Sequence, residues 1–220
     1  KKLGNNTIDA TGLNKGLYEL ATNSVVCSYF DQVMQRRFLP SGRVLYFPSC
    51  EYQGDGKFVS LISGEKYSVS FSKEVDSTYM NVVVPAMRKP PFVVNGNAKC
   101  IPPNDLPGSC EKYDRFVVIG GGKTAIDATL FLLKNEVKPE NVVWIMPRDS
   151  WILDRANLQP TFESIGRFFL EQMIQGSKSE TIEDFIDRMS EAGGLLRIDE
   201  NVRPTMYRCS TVSNAELQQL

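Results

Sequence analysis

Phe116-Val117-Val118-Ile119-Gly120-Gly121-Gly122-Lys123-Thr124-Ala125 decides how this chain is read. An apolar run enclosed by turn residues reads as a buried strand over residues 115–119. Three glycines then form a turn, and residues 124–134 follow as an apolar helix that stops near Asn135. Pro139 and Glu140 restart the chain, and Val142-Val143-Trp144-Ile145-Met146 reads as a second buried strand. Strand, helix and strand in so short a span describe a βαβ unit of a parallel sheet.

The turn itself has the spacing G-x-G-x-x-A, and each small residue has a physical task. Gly120 allows a tight exit from the strand, Gly122 lets backbone come close to a pyrophosphate, and Ala125 lets helix and strand pack closely. The helix start then aims free N–H groups and its positive dipole end at phosphate. Gly120, Gly121, Gly122, Lys123, Thr124 and Ala125 are the candidate cofactor-binding residues of this turn. The plainer alternative is a glycine turn that only packs the βαβ unit. Gly122-Lys123-Thr124 also looks like the end of a phosphate-binding P-loop. That loop needs a glycine five positions before its Gly-Lys pair, where Val117 stands inside the strand, so a P-loop hydrolase is excluded. Lys123 is open to two readings, a phosphate contact or a solvated surface lysine.

The end of the second strand selects the cofactor. A carboxylate there holds the ribose 2′-hydroxyl of NAD, and an arginine accommodates the 2′-phosphate of NADP. Met146-Pro147-Arg148-Asp149 offers both, with Arg148 first, which favours NADP; Asp149 keeps NAD open. A surface ion pair with Asp149 or Asp154 is the alternative role for Arg148. Trp151, Asp154 and Arg155 read as a following loop, which either lines the cofactor groove or packs upon itself.

Working outward, residues 17–38 show helical spacing, with Arg36 and Arg37 near its end and Pro40-Ser41-Gly42 as its stop. Residues 43–47 read as a short strand. Residues 57–62 and 66–71 form a hairpin around Ser63-Gly64-Glu65, and Val82-Val83-Val84 reads as one more strand. Prolines at 85, 90, 91, 102, 103 and 107 make residues 85–110 an irregular connection. Residues 162–174 and 182–192 read as helices, the second with Thr181-x-x-Asp184 as a capping box, and residues 195–198 as a strand. Ser213-x-x-Glu216 opens a last helix that reads as interrupted at Leu220, which suggests truncation. The fold class is α/β: a Rossmann-like parallel-sheet domain over residues 109–220, preceded by residues 1–108 with a helix and a β-hairpin.

Composition narrows the function. With 25 basic and 26 acidic residues the net charge is -1, which gives no electrostatic footprint for nucleic acid. No apolar run reaches the roughly 18 residues of a membrane helix. Five widely spaced cysteines, Cys27, Cys50, Cys100, Cys110 and Cys209, form no C-x-x-C pair. They read as small buried hydrophobes in a reduced, cytoplasmic protein, with no metal site. The absence of histidine excludes Ser-His-Asp triads and leaves chemistry to other groups or to a cofactor. No catalytic acid or base can be named.

The segment 116–156, with Val-Ile-Gly-Gly-Gly-Lys-Thr-Ala and Trp-Ile-Met-Pro-Arg-Asp-Ser-Trp-Ile-Leu-Asp-Arg-Ala, resembles the NAD(P)-binding domain of flavin-containing monooxygenase-like and pyridine nucleotide-disulfide oxidoreductase-like proteins. Arg37-Phe38-Leu39-Pro40-Ser41-Gly42-Arg43-Val44 is similar to a segment that follows their first FAD-binding unit, and Asn104-Asp105-Leu106-Pro107 to their crossing into the second nucleotide domain. The resemblance implies an oxidoreductase in which NADPH reduces FAD and the flavin passes electrons to a small-molecule substrate or to oxygen. It makes residues 1–108 part of a flavin domain. The FAD fingerprint itself is absent: Gly12 and Gly16 are the only early glycine pair, and no buried strand precedes them. FAD is therefore expected in the full-length protein. The redox dithiol of disulfide reductases is missing too. A flavin-free NAD(P) dehydrogenase, which would want a Tyr-x-x-x-Lys that this chain lacks, and a non-catalytic NAD(P)-binding regulatory module are the rival readings.

Overall fold

The computed structural model describes residues 7–77 and 82–220. The chain divides into two compact units, Leu20–Val82 and Thr7–Glu19 with Val83–Leu220.

In the first unit, helix α1 spans Asn23–Val33 and starts at Thr22, whose side chain accepts the Val25 N–H. The helix continues as a wider turn over Met34–Phe38 and a tight one over Leu39–Ser41, and Gly42 ends it in the left-handed region at φ 66°. The expected helix thus begins later than its apolar spacing suggested. The strand expected at residues 43–47 does not form. β-prone side chains need a partner strand, and none is offered there. Instead β1 is Cys50–Gly54, and it pairs antiparallel with β2, Lys57–Ser60. The hairpin of β2 and β3, Lys66–Ser68, forms as expected, although both strands are shorter. Phe58 faces Tyr67 across it, and Phe47 closes on both rings at 4.7 and 5.1 Å.

The second unit carries the glycine turn. Strand β4 is Phe116–Ile119, helix α2 is Lys123–Lys134 and strand β5 is Val142–Ile145. β4 and β5 are parallel and in register, from Phe116 opposite Val142 to Ile119 opposite Ile145. Residues 82–84 are not a strand; a short 3₁₀ turn at Pro85–Met87 follows them. Strand β6, Ser150–Asp154, is buried at every residue. Helices α3, Phe162–Lys178, and α4, Ile182–Glu191, come next, capped by Thr161 and Thr181. Asp184 reaches the Glu180 N–H, one residue before the cap, so the expected reciprocal box at Thr181 is only half made. Strand β7, Leu195–Leu196, pairs antiparallel with β6, while β8, Met206–Val212, pairs parallel with it. The box at Ser213 and Glu216 is complete, but its helix α5, Asn214–Leu217, is one turn long and ends at Gln218.

Two apolar clusters hold this unit. Ile126 and Leu130 of α2 meet Ile152 of β6 and Val212 of β8, with Trp144 of β5 packed against them. Trp151 and Leu153 of β6 meet Phe168, Met189 and Leu195. The arrangement is α/β with small sheets and parallel strand pairs. Among the described residues no helix is long and apolar enough to cross a membrane.

Candidate functional site

The site grows from the exit of β4. Gly120 takes φ 136°, its N–H donates to the Ile145 carbonyl at 2.9 Å, and its own carbonyl accepts the Trp144 indole N–H at 2.7 Å. These bonds weld the turn to β5. A Cβ on Gly120 would touch the Ala125 methyl at 3.8 Å, so the close helix–strand packing expected of Ala125 is present. Gly121 is buried, and a Cβ there would lie 2.8 Å from the Arg148 carbonyl oxygen. It packs the turn against the loop after β5. Gly122 differs. A Cβ there would meet only the Arg208 guanidinium, at an ordinary contact distance of 3.7 Å.

Helix α2 starts at this point without a side-chain cap and with no acidic residue in its first turn. Among the described residues the N–H groups of Gly121, Gly122, Lys123 and Thr124 have no protein acceptor. Thr124 is exposed. Lys123 is not free: its ammonium pairs with Asp127 at 2.6 Å and with the buried Glu216 at 3.4 Å. These pairs tie α2 to α5.

Arg208 is the residue that sequence reasoning missed. Its Nε donates to Ser150 Oγ at 3.1 Å, and no ion pair to it is found among the described residues. A register shift between β6 and β8 falls beside it: Trp151 pairs with Tyr207 and Leu153 with Thr211, so β8 advances four residues where β6 advances two. No local pattern in Met206-Tyr207-Arg208-Cys209 announces this.

Beyond the end of β5 a hollow of about 340 Å³ is lined by Met146, Pro147, Arg148, Asp149, Val202 and Arg203, among others. Arg148 is exposed on its rim and paired to neither suggested carboxylate. Asp149 is buried: it accepts the Ser150 N–H at 2.7 Å and the Asp199 N–H at 3.5 Å. Asp154 accepts the Ala156 N–H and the Asn214 amide, and burial pushes its carboxyl above the ordinary value. Trp151, Asp154 and Arg155 therefore do not line a groove. They belong to or directly follow the buried strand β6, with the Arg197 guanidinium 5.8 Å above the Trp151 ring and Arg155 donating to the Tyr18 carbonyl.

A larger hollow of about 610 Å³, lined by Phe169, Met173, Ile182 and Phe185, lies between α3 and α4. It gathers no convergent charged groups. The cysteines are all free, with Cys27, Cys100 and Cys209 exposed and Cys50 and Cys110 half-buried, so they are not the buried residues expected. No cluster of metal-ligating side chains is found among the described residues.

No solved structure and no family model matches the chain. Proteins of Mycobacterium tuberculosis and Mycobacterium bovis, named only as uncharacterized proteins, are 49% identical to it over 229 residues. The match covers 100% of this chain and 41% of each relative, so the chain spans about two-fifths of their length.

Proposed function

We propose that this chain holds the NAD(P) site of a flavin-linked oxidoreductase, on a Rossmann-like βαβ unit formed by β4, α2 and β5. The observation that carries the reading is what gathers at Gly122. There, acceptor-free amides, an uncapped helix start and the Arg208 guanidinium converge, with no carboxylate in the helix's first turn. That is the electrostatic environment a diphosphate wants. The residues fit the group: the amides of residues 121–124 and Arg208 would hold the diphosphate, and Arg148 would reach a 2′-phosphate beside the hollow after β5. NADP is favoured over NAD because Asp149 is occupied with backbone amides. The dinucleotide, when bound, supplies a hydride. FAD belongs to the full-length protein on this reading. Gly12 and Gly16 lie in turns within residues 9–16 with no helix starting directly after them, so they give a flavin diphosphate no cradle. The five free cysteines suit a reducing cytoplasm.

A flavin-free NAD(P)-binding module remains the second reading, favoured by that missing cradle. Calorimetric titration of the chain with NADPH and NADH tests the common core of both. Arg208→Ala should weaken both cofactors alike, by about 10- to 100-fold if one charge-assisted contact is worth about 1.5–3 kcal/mol. Arg148→Ala should weaken NADPH by a similar factor and leave NADH within about threefold. Equal losses in Arg148→Ala would defeat the 2′-phosphate assignment. No binding of either cofactor to the unmodified chain would defeat the function. Bound flavin absorbance in the full-length protein separates the two readings.

A further inference from the structure

The β4–β5 pair has one covered face and one bare face. Phe116, Val118, Val142 and Trp144 are half-buried, and Trp144 packs into the cluster of Ile126, Leu130, Ile152 and Val212. The alternate residues Val117, Ile119, Val143 and Ile145 are 59%, 50%, 55% and 48% exposed. The register sets Val117 opposite Val143 and Ile119 opposite Ile145, so the four aliphatic side chains form one continuous patch. A sheet face meant for water alternates polar residues outward, whereas parallel strands that are apolar on both faces belong to sheets covered on both sides. Among the described residues neither outer edge of the pair has a further strand.

We infer that this patch is an interior surface, covered in the intact protein by an amphipathic helix from polypeptide outside these 220 residues. Two arguments select that occupant. The mycobacterial relatives match the whole chain, yet the match covers only 41% of their length, so they carry ample polypeptide to lie on it. Parallel strands are, moreover, typically covered by the helices of crossover connections. A second copy of the chain suits the patch poorly. Four half-exposed aliphatic side chains fall well short of the roughly 800 Å² per partner that a stable dimer buries.

The test uses the chain with Val143→Cys, alone and co-expressed with the part of the Mycobacterium tuberculosis relative that lies outside the matched stretch. Alkylation at position 143 is followed by peptide mass spectrometry. The expected result is rapid labelling of the chain alone, independent of its concentration, and at least tenfold slower labelling in the co-purified complex. Val143→Lys should abolish co-purification while the chain alone keeps its circular dichroism. Should that variant lose its fold, Val117→Thr, which keeps the β-branch, should weaken co-purification in the same direction. Failure to co-purify, or unchanged labelling in the complex, overturns the inference. Protection of the chain alone that grows with its concentration overturns it as well, because a second copy would then be the occupant.

Discussion

Replacing Gly121 or Gly122 by alanine separates what the turn does for the fold from what it does for a ligand. At Gly121 the new methyl would stand 2.8 Å from the Arg148 carbonyl oxygen and 3.0 Å from Met146 Cγ. The methionine can rotate away but the backbone oxygen cannot, so Gly121→Ala should cost about 1–3 kcal/mol, as other overpacking substitutions do. At Gly122 the backbone is extended, φ -102° and ψ 175°, and the methyl meets only Arg208 at ordinary contact distance. Alanine is a poorer cap than glycine by roughly 0.5–1 kcal/mol. It also narrows the unfolded ensemble by about 0.4–1 kcal/mol, so the two effects nearly cancel. Gly122→Ala should therefore melt within about 2–4 °C of the unmodified chain. Binding should follow the opposite order. The methyl would fill the space of a phosphate oxygen, and losing one such charge-assisted bond, about 1.5–3 kcal/mol, lowers NADPH and NADH affinity by about 10- to 100-fold. Thermal melts and calorimetric titrations at fixed ionic strength measure both quantities. A Gly122→Ala chain that binds NADPH as tightly as the parent would refute the cradle. A Gly121→Ala chain as stable as the parent would refute the packing geometry.

Two further predictions concern the buried strand. Trp151→Ala should destabilise the second unit by about 3–5 kcal/mol in urea denaturation, since the ring is enclosed by Leu153, Phe168, Met189 and Leu195; a loss below about 1 kcal/mol would return Trp151 to a loop role. Asp154 has its carboxyl pKa raised by burial, against the bonds from Ala156 and Asn214. The folded state then holds this proton to higher pH than the unfolded state does. Stability falls as pH rises from the unfolded carboxylate value through the folded one, and the whole penalty is present above it. Asp154→Asn should raise the melting temperature more at pH 7 than at pH 4, and an equal effect at both would contradict the burial argument.

What the sequence discloses is what its near neighbours determine. The strand, glycine turn and helix from Phe116 to Lys134 are legible because an apolar run, a break and helical spacing are all local signals. The Ser213–Glu216 box is legible for the same reason. Strand β6 is not, because its core Trp151-Ile152-Leu153 is flanked by Asp149, Asp154 and Arg155, which read as loop charges. Those charges are buried because local amides and groups remote in sequence satisfy them together: Ser150 N–H for Asp149, Ala156 N–H and the Asn214 amide for Asp154, and the Tyr18 carbonyl for Arg155. Strand β8 exists through its pairing with β6, and residues 43–47 show the converse, β-prone side chains without a partner. One part of the site was locally readable and still missed. Asp127 follows Lys123 by four residues on a helix, the spacing of an ion pair.

The cations around the start of α2 divide into paired and unpaired ones. Lys123 stands in the first turn of α2, where a free cation would oppose the helix dipole. Asp127 and Glu216 offset it, and Glu216 is itself held by the Ser213 N–H. Arg208 also approaches the positive end of α2, but no carboxylate is paired with it among the described residues. Arg208 is exposed, so water screens much of its repulsion with the helix start, and the Ser150 hydroxyl orients it. On the proposed reading, an anion beside Gly122 would gain from both the helix start and this guanidinium. On that reading the register shift in β8, which interrupts its ladder with β6, places Arg208 where a bound phosphate would use it.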